Sequence, residues 1–207
     1  MTEEQTAFQK VITRSYTDVQ VGSEGIDTAQ FLEATDGMIN MFGKYLFGSS
    51  AFSVVQSDMS NNVKKIRARF LESPLEYNTL EHLMAKEAHL KRRLATEALL
   101  WLKRCAHGGL DFTAQSLMHS INNPNEELTV SFSLAYDTTL RPHHSFIVRP
   151  IFNLAMNACP WRKDFYQNIG VQNEASLALM RGWLEALLDL IDILNKVFEK
   201  NPAYLKH

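Results

Sequence analysis

Residues 57–66 read Ser57-Asp58-Met59-Ser60-Asn61-Asn62-Val63-Lys64-Lys65-Ile66, and their periodicity sets the architecture to look for. At about 100° per residue, Asp58, Asn62 and Lys65 fall within roughly a 60° arc. Val55, Met59, Val63, Ile66 and Phe70 occupy the neighbouring arc. The segment therefore reads as an amphipathic helix with a polar strip beside an apolar face. Asp58 accepts hydrogen bonds, Lys65 donates them and Asn62 does both. That mixture suits a polyhydroxyl ligand, whose hydroxyls also donate and accept. A solvated helix edge with a weak local ion pair accounts for the same residue types.

Helical signals continue on both sides. Phe8, Val11, Ile12 and Tyr16 form a short apolar stripe. Asp27-Thr28-Ala29-Gln30 resembles a capping signal, followed by Phe31, Leu32, Met38, Ile39 and Phe42. Gly48-Ser49-Ser50 breaks that helix, another begins near Ala51, and Ser73-Pro74 ends it. One long helical stretch is expected from Asn78 to Ile121, with a break at Gly108-Gly109. Asn122-Asn123-Pro124-Asn125 is a turn. A second stretch runs from Glu126 toward Cys159, where Pro142 and Pro150 predict kinks. Pro160 closes it, and Trp161 to Ile169 form a short segment before Gly170. The final helix spans Glu174 to Glu199, with apolar residues over a wide arc from Trp183 to Phe198. That arc fits a deeply buried central helix, or one with a face on an internal apolar slot. Strand signals are nearly absent. The expectation is an all-α single domain over residues 1–207, with about seven or eight helices.

Composition narrows the function. The chain is 45% hydrophobic with a net charge of −2, which supports a sizeable core and gives no sign of a nucleic-acid footprint. Met1 to Lys10 lack the pattern of a signal peptide. No tract approaches the roughly 20 apolar residues of a membrane span. Cys105 and Cys159 lie in apolar helical surroundings and read as reduced thiols in a cytosolic protein. His82 and His89 are seven residues apart, not at the i, i+4 spacing of a helical zinc pair. No metal or cofactor is expected.

Two further segments carry chemistry. Leu99-Leu100-Trp101-Leu102-Lys103-Arg104 offers an indole, which is a core residue in most helices but also a flat platform for the C–H face of a sugar. Arg141-Pro142-His143-His144-Ser145-Phe146-Ile147-Val148-Arg149-Pro150 places a histidine on what reads as an apolar helix near a kink, with Tyr136 eight residues before His144. An Asp58–His144 acid–base pair would be the enzymatic reading, but no nucleophile motif accompanies it.

Taken together, SDMSNNVKKIR, EALLWLKR and the stretch from Ala135 to Gly170 resemble the glycolipid transfer protein family, in order and spacing. HHSFIVRPIFNLAMNACPWRKDFYQNIG is most similar to fungal members of heterokaryon-incompatibility type. The likeness covers Phe31 to Gly170 well and both ends weakly.

The resemblance implies a two-layer all-helical fold with a lipid slot between the layers, walled in part by Phe52, Val55 and Phe152. It implies that Asp58 binds the ceramide amide and a sugar hydroxyl. It further implies that Asn62 and Lys65 bind the sugar, Trp101 stacks under its first ring, and His144 binds the ceramide carbonyl with Tyr136 nearby. The ligand is then a glycosphingolipid, carried by a monomer that meets membranes transiently. Ceramide-1-phosphate or another sphingolipid, and a lipid-sensing adaptor, are the alternatives. Phosphate-selective members carry lysine where this chain has Asn62, which favours a sugar headgroup here.

Two departures stand out. Cys105 to Gly108 form an insertion after the W-L-K-R segment, about one helical turn. Phe146 stands where animal members place a tryptophan at the membrane. Phe146, with Trp161, Arg162 and Lys163, is the expected docking face, and Tyr204 matches loosely a tail that gates the slot.

Overall fold

The computed structural model describes residues 6–45, 50–104 and 109–205; the side chains of residues 50–52, 54, 104 and 151 fall outside this description. The insertion at Cys105–Gly108 and most of the Gly48-Ser49-Ser50 break lie outside the described residues, as does the Phe52 side chain.

Ten α-helices make up most of the described chain: α1 (Ala7–Val11), α2 (Thr28–Tyr45), α3 (Ser50–Glu72), α4 (Leu80–Glu87), α5 (Leu94–Arg104), α6 (Leu110–Asn122), α7 (Leu128–Thr139), α8 (Val148–Asn157), α9 (Arg162–Ile169) and α10 (Glu174–Lys200). A two-residue hairpin pairs Val21–Gly22 with Gly25–Ile26. The helices pack as two groups: α2, α3 and α5 against one another, and α6 with α7 and α10, the groups meeting where α5 touches α6. None of the described helices is long and apolar enough to cross a membrane.

Local chemistry sets the boundaries. Gln30 N–H donates to Asp27 Oδ1 at 2.8 Å, which caps α2. The Gln30 side chain does not return to Asp27; it accepts from Gln20 N–H at 2.8 Å and fastens the preceding loop. Asn173 and Ser176 close a reciprocal capping box at the start of α10. Gly170 ends α9 at φ +75°, and a Cβ there would sit 3.1 Å from Thr6 Cβ, so the close approach of the α1 cap adds to the demand for glycine.

The stretch from Asn78 to Ile121, expected to break at Gly108-Gly109, is three helices: α5 ends at Arg104 and α6 begins at Leu110, and a further break precedes α5. α4 stops at Glu87 and α5 begins at Leu94. The reason is Glu87 itself, which is fully buried. Its carboxylate accepts from Ala95 N–H (3.2 Å), Thr96 N–H (2.7 Å) and Thr96 Oγ1 (2.8 Å), and from Arg69 Nε at 2.9 Å. An anion at a helix N-terminus satisfies donors that have no partner within the helix. Here the anion comes from the preceding helix, and the chain must turn to bring it there.

The expected kinked helix from Glu126 to Cys159 is also divided. α7 ends at Thr139, a 3-10 turn covers Arg141–His143, and α8 starts at Val148. Pro142 sits in that turn and breaks the helix rather than bending it. Pro150 is in the first turn of α8, where a missing N–H costs nothing and no kink is needed. These two divisions, with the short α1, raise the count above the expected one.

α10 is the central helix. Trp183, Leu184, Leu187, Leu190, Ile191, Leu194 and Phe198 are buried, and Leu188, Ile193 and Val197 pack against the same core. Phe8 meets the Trp183 indole edge-on at 5.3 Å between ring centroids, so α1 closes over α10. Cys159 is half-buried among apolar groups, and burial pushes its thiol up to about 12. It is therefore a small apolar side chain rather than a reactive one.

Candidate functional site

The polar strip of α3 forms as its periodicity requires. Val55, Met59, Val63 and Ile66 are all buried against the core, which turns Asp58, Asn62 and Lys65 toward the edge of that contact. The three are not equivalent. Asn62 is only 3% exposed. Its Nδ2 donates to Asp58 Oδ2 at 3.3 Å, one turn back on the same helix. Asp58 is half-buried and Lys65 is exposed. A buried primary amide held by a carboxylate is costly unless its remaining donor and acceptor sites are used. The strip thus grades from a fixed amide–carboxylate pair to a freely solvated ammonium.

Trp101 is on α5, which packs along α3. Its neighbours Leu100 and Leu102 are buried, but Trp101 is 40% exposed. A partly exposed indole on a helix packed against the one that carries the polar strip can receive the apolar face of a sugar ring.

The third part is built on irregular backbone. His144 was expected on a helix; it is extended, at φ −90° and ψ 134°, just after the 3-10 turn. The side chain is nevertheless buried. Its Nδ1 lies 3.1 Å from Tyr136 Oη. The imidazole packs against Phe152 at 4.4 Å between centroids, and Tyr136 and Phe152 lie almost parallel at 5.5 Å. Burial raises the Tyr136 pKa, an effect that Arg149 and Arg141 oppose, so the phenol stays protonated at neutral pH. A phenol that donates to Nδ1 leaves the imidazole proton on Nε2, ready to donate to a carbonyl. The α8 helix that carries Phe152 touches both α3 and α7. The structure brings His144, Tyr136 and Phe152 into direct contact. It places Asp58, Asn62, Lys65 and Trp101 on two helices packed side by side, and Val55, on the first of these helices, is buried.

Arg149 holds this segment in place and was not anticipated. Its Nε donates to the His144 carbonyl at 3.1 Å and its Nη2 to the Arg141 carbonyl at 3.4 Å. Helical spacing could not reveal it, because the residues it clamps are not helical.

The residues expected to dock are divided by the structure. Phe146 is 80% exposed and Trp161 is 69% exposed. Ile147 and Leu154 are similarly exposed and were not singled out. Lys163 is exposed, whereas Arg162 is turned inward. Its guanidinium lies 4.4 Å over the Tyr166 ring and donates from Nη2 to the Ser120 carbonyl at 3.3 Å. Phe165 and Tyr166, which adjoin this segment, are buried. Tyr204, within the 3-10 turn Pro202–Leu205, packs edge-on against Phe198 at 6.3 Å between centroids.

Comparison with known proteins shows the family. The family model described as glycolipid transfer protein matches residues 26–171. The chain is 45% identical over 196 residues to the glycolipid transfer protein of Aureobasidium melanogenum, covering 95% of this chain and 94% of that one. It is 30% identical to the human pleckstrin homology domain-containing family A member 8, covering 92% of this chain but 38% of that protein's length. The crystal structure of the fungal glycolipid transfer protein HET-C2 superimposes with a TM-score of 0.84 at 42% identity, covering 95% of this chain and 98% of that one. The match spans the polar strip of α3, the indole of α5 and the buried histidine alike, and the chain belongs to the glycolipid transfer protein family.

Proposed function

We propose that this protein carries a glycosphingolipid between membranes, one molecule at a time, without making or breaking a covalent bond. The observation that carries this reading is the buried Asn62 amide, held by Asp58 on α3, with the partly exposed Trp101 on α5, the helix packed against it. Asp58 and Asn62 provide an acceptor and donors for sugar hydroxyls, Lys65 reaches the outer hydroxyls, and Trp101 lies under the first ring. His144, aligned by Tyr136, donates to the ceramide carbonyl. A neutral amide at 62 and an aromatic at 101 disfavour a phosphate headgroup, since Lys65 alone provides little charge to neutralise it.

Energetics explain why such a carrier is needed. Each methylene is worth about 0.8 kcal/mol on leaving water, so two chains of some thirty carbons cost roughly 20 kcal/mol or more to expose. A slot between the helical layers, with Val55 and Phe152 in its wall, replaces water by side chains during transfer. The headgroup site then supplies selectivity, because a buried donor or acceptor left unpaired costs about 1–3 kcal/mol.

The protein docks as a monomer and reversibly, from the cytoplasmic side, through Phe146 and Trp161. Rings of this kind sit at headgroup depth while Lys163 meets anionic lipid. Arg162 supports that edge from behind. The test is a cell-free assay between donor and acceptor vesicles. Labelled glucosylceramide should move at a rate proportional to protein concentration, with its mass unchanged. A changed ligand mass would show an enzyme, and no movement would contradict the proposal.

A further inference from the structure

A second polar cavity lies away from the residues assigned to the sugar. It measures about 390 Å³, within the range of roughly 300–1,000 Å³ typical of small-molecule sites. The start of α7 and the start of α9 face each other across it. Two carboxylates, Glu126 and Glu127, line it from one side, and two cations, Arg162 and Lys163, from the other.

The charges are poorly matched within the protein. Arg162 Nε is buried without an acceptor, and Glu126 Oε2 is buried without a donor. His119 Nδ1 lies 3.7 Å from Glu126 Oε2, beyond hydrogen-bond reach. Glu127 accepts from the Arg162 backbone N–H at 2.8 Å and so caps α9. Among the described residues, no carboxylate lies within ion-pair distance of the Arg162 guanidinium or of Lys163. Unpaired charge at a half-buried position is unfavourable, and a ligand of complementary charge relieves it. The cavity is formally neutral but dipolar, cations on one wall and anions on the other. That pattern fits a zwitterion better than a simple anion. Trp161, largely exposed, immediately precedes Arg162 and sets this cavity at the edge assigned to the bilayer.

We propose that the cavity seats the phosphoethanolamine headgroup of a bilayer phospholipid, its phosphate against Arg162 and Lys163 and its primary ammonium against Glu126 and Glu127. The site recognises the membrane rather than the cargo. It rests on the reading that the Trp161 edge docks on lipid. Choline offers no N–H to the carboxylates, and serine adds a carboxylate that they repel, so both bind more weakly.

The probe is soluble glycerophosphoethanolamine, titrated into the full chain by NMR. Amide signals of residues 124–127 and 162–167 should move, more than with glycerophosphocholine or glycerophosphoserine. Glu126→Gln and Lys163→Gln, both at solvent-accessible positions, should each weaken the response roughly threefold, the size expected of a half-exposed ion pair. Vesicles of phosphatidylcholine with added phosphatidylethanolamine should hold the wild type better than pure phosphatidylcholine, and the double variant should lose that gain. A silent titration, or an ethanolamine gain that persists in the double variant, would overturn the proposal. Loss of glycolipid transfer with the soluble response intact would instead refute the carrier reading and leave this site standing.

Discussion

Two halves of the proposed headgroup site are built differently. Asp58, Asn62 and Lys65 stand on consecutive turns of α3, a regular helix whose apolar arc is fixed in the core. His144 stands on extended backbone between two helices, and its position depends on hydrogen bonds from elsewhere: Tyr136 at its ring and Arg149 at its carbonyl. On the helix, geometry comes from the backbone, and each side chain can be removed without moving the others. In the linker, geometry comes from the side chains, and removing one moves its neighbours. The helical half should therefore respond to mutation by losing contacts, and the linker half by losing order.

The largest effect is expected in the helical half. Asp58→Val removes the carboxylate that holds the Asn62 amide, together with its own contacts to ligand. At about 1.5–3 kcal/mol for each hydrogen bond to a charged group, transfer should fall by at least tenfold to a hundredfold. Circular dichroism and thermal unfolding should stay near wild type, because Asp58 is not in the core. Near-normal transfer would break the assignment of α3 as the headgroup helix.

Tyr136→Phe comes next. It keeps the stack on Phe152 but leaves His144 Nδ1 without its phenol. A loss of about 0.5–1.5 kcal/mol, or roughly twofold to tenfold in ligand affinity, follows from one neutral hydrogen bond. An unchanged affinity would show that His144 is aligned by packing alone.

Arg149→Gln sharpens the contrast. It should leave α3 untouched while loosening residues 141–147, read as faster hydrogen exchange in that segment. Transfer should drop less than in Tyr136→Phe, since Arg149 acts only by positioning His144. Unaltered exchange would mean that the linker is held without the clamp.

The smallest effect on ligand binding belongs to Phe146→Ala. Vesicle binding and transfer should weaken, while affinity for a soluble short-chain glycolipid stays at its wild-type value. Collapse of the soluble affinity with intact vesicle binding would move Phe146 from the docking face into the slot.

The same contrast explains what the sequence revealed. The α3 strip was legible because a helix converts spacing into position, and Val55, Met59, Val63 and Ile66 are buried as their period requires. The ends of α2 and α3 were legible from Asp27 and Ser73-Pro74. The break at residues 88–93 was not, because its cause is a buried carboxylate reaching forward to Ala95 and Thr96, and the sequence shows only another glutamate in a helical run. The Pro142 break was misread as a kink, since a proline alone does not tell whether the helix resumes. For the same reason Arg149 was invisible. Arg162 was expected on the docking face with Phe146, Trp161 and Lys163, but the Tyr166 ring four residues on draws it inward. Trp161 and Lys163 are presented to the surface, while Arg162 lines the cavity between α7 and α9.

The central claim is that the polar strip and indole select a sugar over a phosphate. A competition assay with labelled glucosylceramide and labelled ceramide-1-phosphate in the same donor vesicles tests it most directly. The account predicts that the sugar lipid moves and the phosphate lipid stays behind. Preferential transfer of ceramide-1-phosphate would contradict it.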